Sequence, residues 1–222
     1  MSLEVIIPAY NEEKRIGGVI KPLSSSELIE KILVVNDGST DKTAQIAADA
    51  GADLILNHSS NMGKGAALQT GIKEVKEENF LIIDADLHNL TEKHIELMLS
   101  SFQRNPEIVM VNGIIKKEVP IQADIQKYIT GIRLIDKKVW KQVEKEEIKG
   151  YGIDLLIYEK AKKLGEVKTK TLPGLKHTNK MDKNGLIRGF LKHLGMFIEI
   201  IYKTTIRKTK TATRKVKSFF SF

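Results

Sequence analysis

Apolar runs alternate with amphipathic stretches along the first half of the chain. Short runs rich in branched residues predict buried strands, and the stretches between them, with apolar residues three or four apart, predict helices. The predicted strands cover 3–7, 31–36, 53–57, 79–84 and 107–115, and the predicted helices cover 12–23, 41–50, 63–78 and 91–102. This alternation predicts an α/β fold, with a mostly parallel central sheet, right-handed crossovers and helices on both faces.

The pattern becomes looser after residue 120. It predicts a strand at 131–135, helices at 137–143 and 153–164, a strand at 167–172 and a loop through residue 185. An apolar stripe from Leu186 to Ile201 predicts a further amphipathic helix, and a basic tail follows it. We therefore expect one domain over residues 1–185, with the helix and tail of residues 186–222 appended to it.

The charge of the chain is concentrated in that tail. Residues 203–222 hold seven Lys or Arg and no acid, whereas the formal net charge of the whole chain is +8. Basic residues followed by terminal aromatics are typical of a segment that meets an anionic membrane surface. The alternative is a helix packed on the core, followed by a solvated tail. The apolar stretch is too short to span a bilayer, and the body of the chain carries no nucleic-acid-binding motif.

Cellular location is suggested by two further features. The chain has no cysteine, which excludes disulfides and thiolate metal sites and fits a reducing cytoplasm. The first residues follow a strand pattern and not that of a signal peptide. Together with the tail, these features predict a cytoplasmic protein that is peripheral on the inner face of the membrane.

Unusual polar residues follow three of the predicted strands. They lie at 7–12, 36–41 and 84–88. Ligands bind at the carboxyl ends of the strands in open α/β sheets, and parallel strands bring these ends to one edge. We therefore expect the three clusters to form one site.

Asp84 and Asp86 lie two residues apart at the end of an apolar strand. Residues with this spacing on an extended chain point the same way, so both carboxylates can face one cation. Such oxygen ligands suit Mg²⁺ or Mn²⁺, which keep positions open for substrate phosphates. His88 continues the same side and is a candidate third ligand. The alternative is a turn whose acids cap the next helix.

Two other segments predict contacts to a nucleotide. Asp37, on a tight turn, can accept a hydrogen bond from a base or a ribose hydroxyl, while Asp41 is expected only to cap a helix. Gly63 and Lys64 begin a helix, where a close backbone approach and a positive charge favour a phosphate. A plain glycine-rich helix start is the alternative at that position.

Asp154 and His177 remain open between two interpretations. Asp154 lies just inside a predicted helix, where it is either a general base for an acceptor hydroxyl or an acid favoured by the helix dipole. His177 lies in a loop with several lysines, which either closes on a diphosphate or is a solvated basic loop.

Taken together, these residues resemble family 2 glycosyltransferases of the GT-A, Rossmann-like fold. The match runs in the family's order through IPAYNE (7–12), VNDGSTD (35–41), NMGKG (61–65) and DAD (84–86). The segment 84–88 is most similar to the branch of dolichyl- and polyprenyl-phosphate sugar synthases, where Asp-Ala-Asp-Leu-Gln is usual. This chain has His88 in place of that Gln.

The resemblance implies a metal-dependent transfer of a sugar from a nucleotide diphosphate-sugar, with inversion at the anomeric carbon. A UDP-sugar is favoured as donor, with GDP-mannose the other candidate, and the acceptor is a polyprenyl phosphate, a lipid or a glycan. The residues it assigns to the nucleotide-sugar are Pro8, Ala9, Tyr10, Glu12, Asp37, Gly63, Lys64, Asp84, Ala85, Asp86 and Arg133. The metal is assigned to Asp84, Asp86 and His88, and catalysis to Asp86 and Asp154.

Three rival functions fit the sequence less well. A sugar-phosphate nucleotidyltransferase would carry a glycine-rich loop after the first strand, where this chain has residues 8–12. A dinucleotide-binding oxidoreductase would carry Gly-x-Gly-x-x-Gly there. A non-catalytic nucleotide-sugar-binding protein would be expected to have lost Asp-x-Asp, which is intact here.

Overall fold

The computed structural model describes residues 2–114, 130–144 and 152–177. Its strands are β1 (Leu3–Ala9), β2 (Ile29–Asn36), β3 (Leu54–Asn57), β4 (Asn79–Ile83), β5 (Leu87–His88), β6 (Ile108–Ile114), β7 (Ile132–Asp136), β8 (Glu166–Thr171) and β9 (Lys176–His177). Its helices are α1 (Ile16–Ser24), α2 (Thr43–Asp49), α3 (Lys64–Ile72), α4 (Glu92–Gln103), α5 (Lys137–Val143) and α6 (Gly152–Leu164). All of them belong to one compact unit, Met1–Thr178.

Seven strands form a central sheet in the order β3-β2-β1-β4-β7-β6-β8. Six of them run in one direction, and β7 alone among them is antiparallel to both of its neighbours. This agrees with the predicted mostly parallel sheet. The direction of β7 could not be predicted, because a buried strand shows the same apolar run whichever way it is oriented.

Helices cover both faces of the sheet, and each face has its own apolar core. One core contains Val19 of α1, Ala47 of α2 and Ile95 of α4. The other contains Leu68 of α3, Trp140 of α5 and Ile157 of α6. Successive residues of a strand point to opposite faces, so the central strands supply both cores and read as continuous apolar runs.

Most predicted element boundaries agree with the structure within two or three residues, and two helices differ more. Helix α1 begins at Ile16 and not at Glu12, because the residues before it form a turn in which the Glu12 carbonyl accepts the amides of Arg15 and Ile16. Helix α3 ends at Ile72, six residues before the predicted end.

Buried Glu4 gives a physical reason for the early end of α3. Its carboxylate accepts hydrogen bonds from the amides of Lys76, at 2.5 Å, and Glu77, at 2.8 Å. Amides that bond to a side chain on β1 are no longer available to extend a helix. The helical pattern of the sequence therefore continues past the point at which the backbone leaves the helix.

A second, two-stranded sheet pairs β5 with β9 in antiparallel fashion. The sequence pattern did not predict either strand, since each is two residues long and lacks a visible period. The predicted amphipathic helix and basic tail of residues 186–222 lie outside the described residues. Among the helices within the described ranges, none has the length and apolarity needed to cross a bilayer.

Candidate active site

The three polar clusters lie side by side at one edge of the sheet, as predicted. Strands β2, β1 and β4 are adjacent and parallel, and Ala9 lies directly opposite Asn36. Strand β4 is in register with β1 through Ile6 and Ile82, so Asp84 follows at the same edge. The carboxyl ends of these strands therefore form the floor of one site.

The loops after β1 and β2 are bound to each other by side chains. Asn11 lies in the left-handed region at φ 53°. Its side-chain oxygen accepts a hydrogen bond from the Thr40 backbone amide at 2.9 Å, and its backbone amide donates to Ser39 Oγ at 2.9 Å. Asp41 accepts the amides of Glu13 and Thr43. Burial acts to raise the pKa of Asp41, but hydrogen bonds from the Thr43 hydroxyl and from the amides of Glu13 and Thr43 hold it below its ordinary value. Asp41 thus has a structural role at the start of α2, whose first amide it binds, although the N-cap residue itself is Lys42.

Asp37, at the end of β2, is almost completely buried and accepts three hydrogen bonds. The donors are the amides of Met62 and Gly63, at 2.9 and 2.7 Å, and the Nδ1 atom of His58, at 2.7 Å. His58 Nε2 lies 2.9 Å from the hydroxyl of Thr70 in α3. The predicted nucleotide-binding aspartate therefore also holds the loop that leads into α3.

Gly38 is required by the close approach of this loop. Its φ is +72°, and a Cβ atom added there would lie 2.6 Å from Ser60 Cα. Both the left-handed backbone and the lack of space favour glycine. The tight turn after β2 is therefore shaped by the segment that Asp37 binds.

A charged cluster of four side chains lies beside the Asp-x-Asp segment. Lys64 Nζ is 2.7 Å from Asp84 Oδ1 and 3.1 Å from Asp154 Oδ1. Arg133 Nη1 lies 2.5 Å from Asp154 Oδ1, and both of these side chains are buried. The cluster joins β4, α3, β7 and the first turn of α6.

The electrostatics of this cluster favour the charged forms of Asp154 and Lys64. Burial acts to raise the pKa of Asp154, but the cations of Lys64 and Arg133 outweigh it and hold the pKa below the ordinary value. Burial acts to lower the pKa of Lys64, but the carboxylates of Asp154 and Asp84 raise it above the ordinary value. Asp154 is therefore ionised and engaged by two cations, which makes its carboxylate a weak base.

His177 lies beside the second acid of the Asp-x-Asp segment. Its Nδ1 atom is 3.4 Å from Asp86 Oδ1, and its position in β9 is opposite Leu87. A Cβ atom at Gly131 would lie 2.5 Å from His177 Nε2, so the ring occupies space that only glycine leaves open. The loop that contains His177 is therefore folded against the site and is not simply solvated.

His94 holds the segment that leads to β9. Its Nδ1 atom accepts the Thr91 amide in a capping box at the start of α4. The hydrogen of the neutral ring is then on Nε2, which donates to the Pro173 carbonyl at 2.9 Å. Asn89 Nδ2 adds a bond to the Gly174 carbonyl at 3.2 Å.

The donor atoms at this end of the site fit a hard divalent cation. Asp86 supplies carboxylate oxygen and His177 supplies imidazole nitrogen, and Mn²⁺ and Mg²⁺ commonly complete such a pair with phosphate oxygens and water. In the described part of the chain, no three His, Asp or Glu side chains are grouped closely enough to hold a metal without such added ligands. Asp84 has the Lys64 ammonium at 2.7 Å, while His88 is exposed in β5, opposite Lys176.

The other predicted nucleotide-binding residues lie along the same edge. Pro8 is half-buried, Ala9 and Ala85 are buried, and Tyr10 is 45% exposed. Glu12 is buried, and its carboxylate lies 3.2 Å from Arg15 Nη1. An exposed aromatic ring beside buried polar groups is the arrangement needed to hold an apolar, hydrogen-bonding ligand such as a nucleobase.

Residues 4–153 match Glycosyl transferase family 2. The chain belongs to this family. The family resemblance drawn from the sequence motifs is therefore confirmed.

Two curated relatives match part of this family 2 chain. The dolichyl-phosphate beta-glucosyltransferase ALG5A of Trichomonas vaginalis is 40% identical over 97 residues, which cover 38% of this chain and 30% of that protein. The 4,4'-diaponeurosporenoate glycosyltransferase of Staphylococcus aureus is 34% identical over 110 residues, which cover 48% and 29%. The chain thus matches less than a third of the length of either relative.

Solved structures share the fold of this family 2 chain. Glucosyl-3-phosphoglycerate synthase of Mycobacterium tuberculosis, solved with Mn²⁺, uridine diphosphate and glucosyl-3-phosphoglycerate, superimposes with a TM-score of 0.71. The match has 21% sequence identity and covers 89% of this chain and 79% of that one. This likeness confirms the predicted GT-A fold.

Sequence reasoning missed two features of the family 2 site. It did not identify His58, whose only local signal is a position just after β3. It also did not connect Lys64, Asp84, Arg133 and Asp154, which lie in four separate elements. The position of Arg133 within an apolar run indicates that its charge is buried. Its partner Asp154 could not be predicted, because no sequence spacing links two residues 21 positions apart.

Proposed function

We propose that this protein is a metal-dependent, inverting glycosyltransferase that takes its sugar from a nucleotide diphosphate-sugar. The observation that carries the proposal is the meeting of Asp37, Lys64 and the Asp84–Asp86 segment at one edge of the sheet, with His177 lying against Asp86. Family membership supports the reaction type. A UDP-sugar is the favoured donor and GDP-mannose is the other candidate.

In this proposal, different residues bind different parts of the nucleotide diphosphate-sugar. Asp37, Tyr10 and Glu12, with Pro8 and Ala9, line the place of the nucleoside. Asp86 and His177, together with Asp84, would hold Mn²⁺ or Mg²⁺. The bound metal would neutralise the negative charge that develops on the leaving diphosphate. Lys64, at the start of α3, would add a positive charge to the same end of the site.

The transfer proposed is a single in-line displacement. An acceptor oxygen forms a bond to the anomeric carbon while the bond from that carbon to the diphosphate breaks, and the diphosphate leaves with the electron pair. A hydroxyl acceptor must lose a proton in this step, whereas an acceptor phosphate is already ionised at neutral pH. The engagement of Asp154 by two cations therefore favours a phosphate acceptor over a hydroxyl.

The acceptor proposed is a polyprenyl phosphate or another lipid or glycan at a membrane surface. The names of the curated relatives, one acting on dolichyl phosphate and the other on a diaponeurosporenoate, support an isoprenoid acceptor. The basic segment 203–222 supports attachment to an anionic, cytoplasmic membrane face. Co-sedimentation of the full chain with anionic liposomes at low salt is the expected result, and its failure would contradict the membrane part of the proposal.

The donor site is tested first by thermal shift. The panel consists of UDP-glucose, UDP-galactose, UDP-N-acetylglucosamine, GDP-mannose, UDP and GDP, each with Mn²⁺ and with EDTA. A metal-dependent rise in melting temperature with one nucleotide is expected, because a ligand that binds only the folded state stabilises it. A well-folded sample that responds to none of them would favour the non-catalytic alternative.

The acceptor class is tested with Asp154→Ala. If the acceptor is a lipid phosphate, this variant should retain most of its turnover on that phosphate once folding has been verified. If the acceptor is a hydroxyl and Asp154 is its base, turnover should fall by about two orders of magnitude or more. Full turnover of the variant on a hydroxyl acceptor would exclude Asp154 as the base.

A further inference from the structure

The carboxylate of Asp37 has nearly all of its acceptor positions filled by the protein itself. Each carboxylate oxygen can accept two hydrogen bonds. Oδ1 accepts from His58 Nδ1 at 2.7 Å and from the Met62 amide at 2.9 Å, and Oδ2 accepts from the Gly63 amide at 2.7 Å. No other donor to this carboxylate is found among the described residues, so one position remains, and it lies on Oδ2.

His58 is the side chain that fills the second position on Oδ1. Its Nδ1 atom faces a carboxylate, so the hydrogen of the neutral ring lies there and Nε2 accepts from the Thr70 hydroxyl at 2.9 Å. Its backbone amide also donates to the Asn36 carbonyl at 2.9 Å. Both ring nitrogens and the backbone are thus fixed, and the ring cannot turn away from Asp37 without losing two hydrogen bonds.

Uracil and guanine place different demands on such a carboxylate. Uracil offers a single N–H at N3. Guanine offers two adjacent donors, N1–H and the 2-amino group, and pairs well with a carboxylate only when each oxygen can accept one bond. With Oδ1 filled, the second guanine donor would be desolvated without a partner, which costs affinity.

We infer that His58 is a positioning and specificity residue, which limits Asp37 to one further hydrogen bond and thereby selects a uracil over a guanine nucleotide. The inference rests on the proposed function, in which Asp37 meets the base of the donor. It decides between the two donor classes that the motifs leave open. It also assigns a role to a residue that lies outside the motifs of the family resemblance.

The first test uses the native full-length chain, so that folding is not in question. Dissociation constants for UDP, N3-methyl-UDP, GDP and inosine diphosphate are measured by calorimetry with Mn²⁺. UDP should bind at least about tenfold more tightly than N3-methyl-UDP or GDP, the factor that one hydrogen bond to a charged group supplies. Inosine diphosphate, which lacks the 2-amino group, should bind at least as well as GDP.

The second test changes the number of hydrogen-bond acceptor positions that Asp37 leaves open to the base. His58→Leu removes the donor to Oδ1 and should narrow the preference for UDP over GDP by about tenfold. His58→Asn, whose amide nitrogen can take the place of Nδ1, should keep the native preference. The ratio of the two dissociation constants is informative because general loosening of the fold would weaken both nucleotides together.

The outcomes separate this inference from the proposed function. If UDP binds and UDP-sugars act as donors, but GDP binds equally well or His58→Leu leaves the ratio unchanged, the inference is wrong and the function stands. If no nucleotide binds the native chain, both are wrong. If His58→Leu does not fold, the native series and His58→Asn decide the matter.

Discussion

Replacing Asp154 by Asn should destabilise the protein strongly, although the two side chains have nearly the same shape. Asp154 is 2% exposed and binds Arg133, which is 1% exposed, at 2.5 Å. The variant keeps the volume of the site and removes the negative charge, so the guanidinium would lose its carboxylate in a place that water does not reach. Lys64 is less affected because it keeps Asp84 at 2.7 Å.

The magnitude follows from breaking the buried ion pair between Arg133 and Asp154. Breaking a buried ion pair by removing one partner typically costs about 3–5 kcal/mol. For a chain of this size each kcal/mol corresponds to about 2–4 °C in melting temperature, so a decrease of roughly 6–20 °C is expected. Urea unfolding gives the free energy of unfolding directly, and a thermal melt gives the temperature shift.

A paired variant provides the control. Asp154→Leu combined with Arg133→Met removes both charges and fills the space with apolar atoms, and should regain most of the lost stability. A melting temperature of Asp154→Asn within about 2 °C of the native value would refute the reasoning. So would a paired variant no more stable than the single one, because the loss would then not come from breaking the ion pair between Arg133 and Asp154.

Further predictions concern three glycines and the charge of Asp154. Gly38→Ala should lower the free energy of unfolding, measured by urea titration, by at least about 1–3 kcal/mol, because Gly38 has a left-handed backbone. Gly18→Ala in α1 has open space for the added methyl group and should raise the free energy of unfolding by about 0.5–1 kcal/mol. Gly131→Ala should displace the ring of His177 from Asp86 and weaken Mn²⁺-dependent binding of UDP about tenfold or more, measured by calorimetry, with little change in metal-free binding. The pKa of Asp154 is lower in the folded than in the unfolded protein. Its charge should therefore stabilise the fold fully above the unfolded pKa of about 3.9, and this stabilisation should be lost as the pH falls through the folded pKa. In strong acid, the unfolding curves of the native protein and of Asp154→Asn should therefore converge.

The apolar pattern of the chain predicts much of the fold. Strand β2 and helix α5 follow their predicted bounds closely because their periodicity is set by local burial. The predicted end of α3 was wrong because the carboxylate of Glu4, which is distant in the chain, binds backbone amides that a longer helix would use for its own hydrogen bonds. Local pattern predicts the type of an element well, but its end depends on contacts made across the fold.

The candidate site was also predictable in part. The edge at which the segments of Asp37 and Asp84 lie follows from the shared direction of the strands in a parallel sheet, and the structure places both segments there. The partners they bind were not predictable. Asp37 is predicted to meet a base, and the structure shows that it binds the loop before α3. Lys64 is predicted to meet a phosphate, and the structure shows that it binds Asp84 and Asp154.

By itself the sequence determined the α/β class, the family and the edge of the sheet at which the polar motifs lie, because motifs and strand periodicity are local properties. Only the tertiary structure decided that His177 lies beside Asp86, that His58 holds Asp37, and that Asp154 binds two cations. These pairings join residues far apart in the chain. They depend on strand order and on the direction of β7, and no local pattern of hydrophobic and polar residues specifies those.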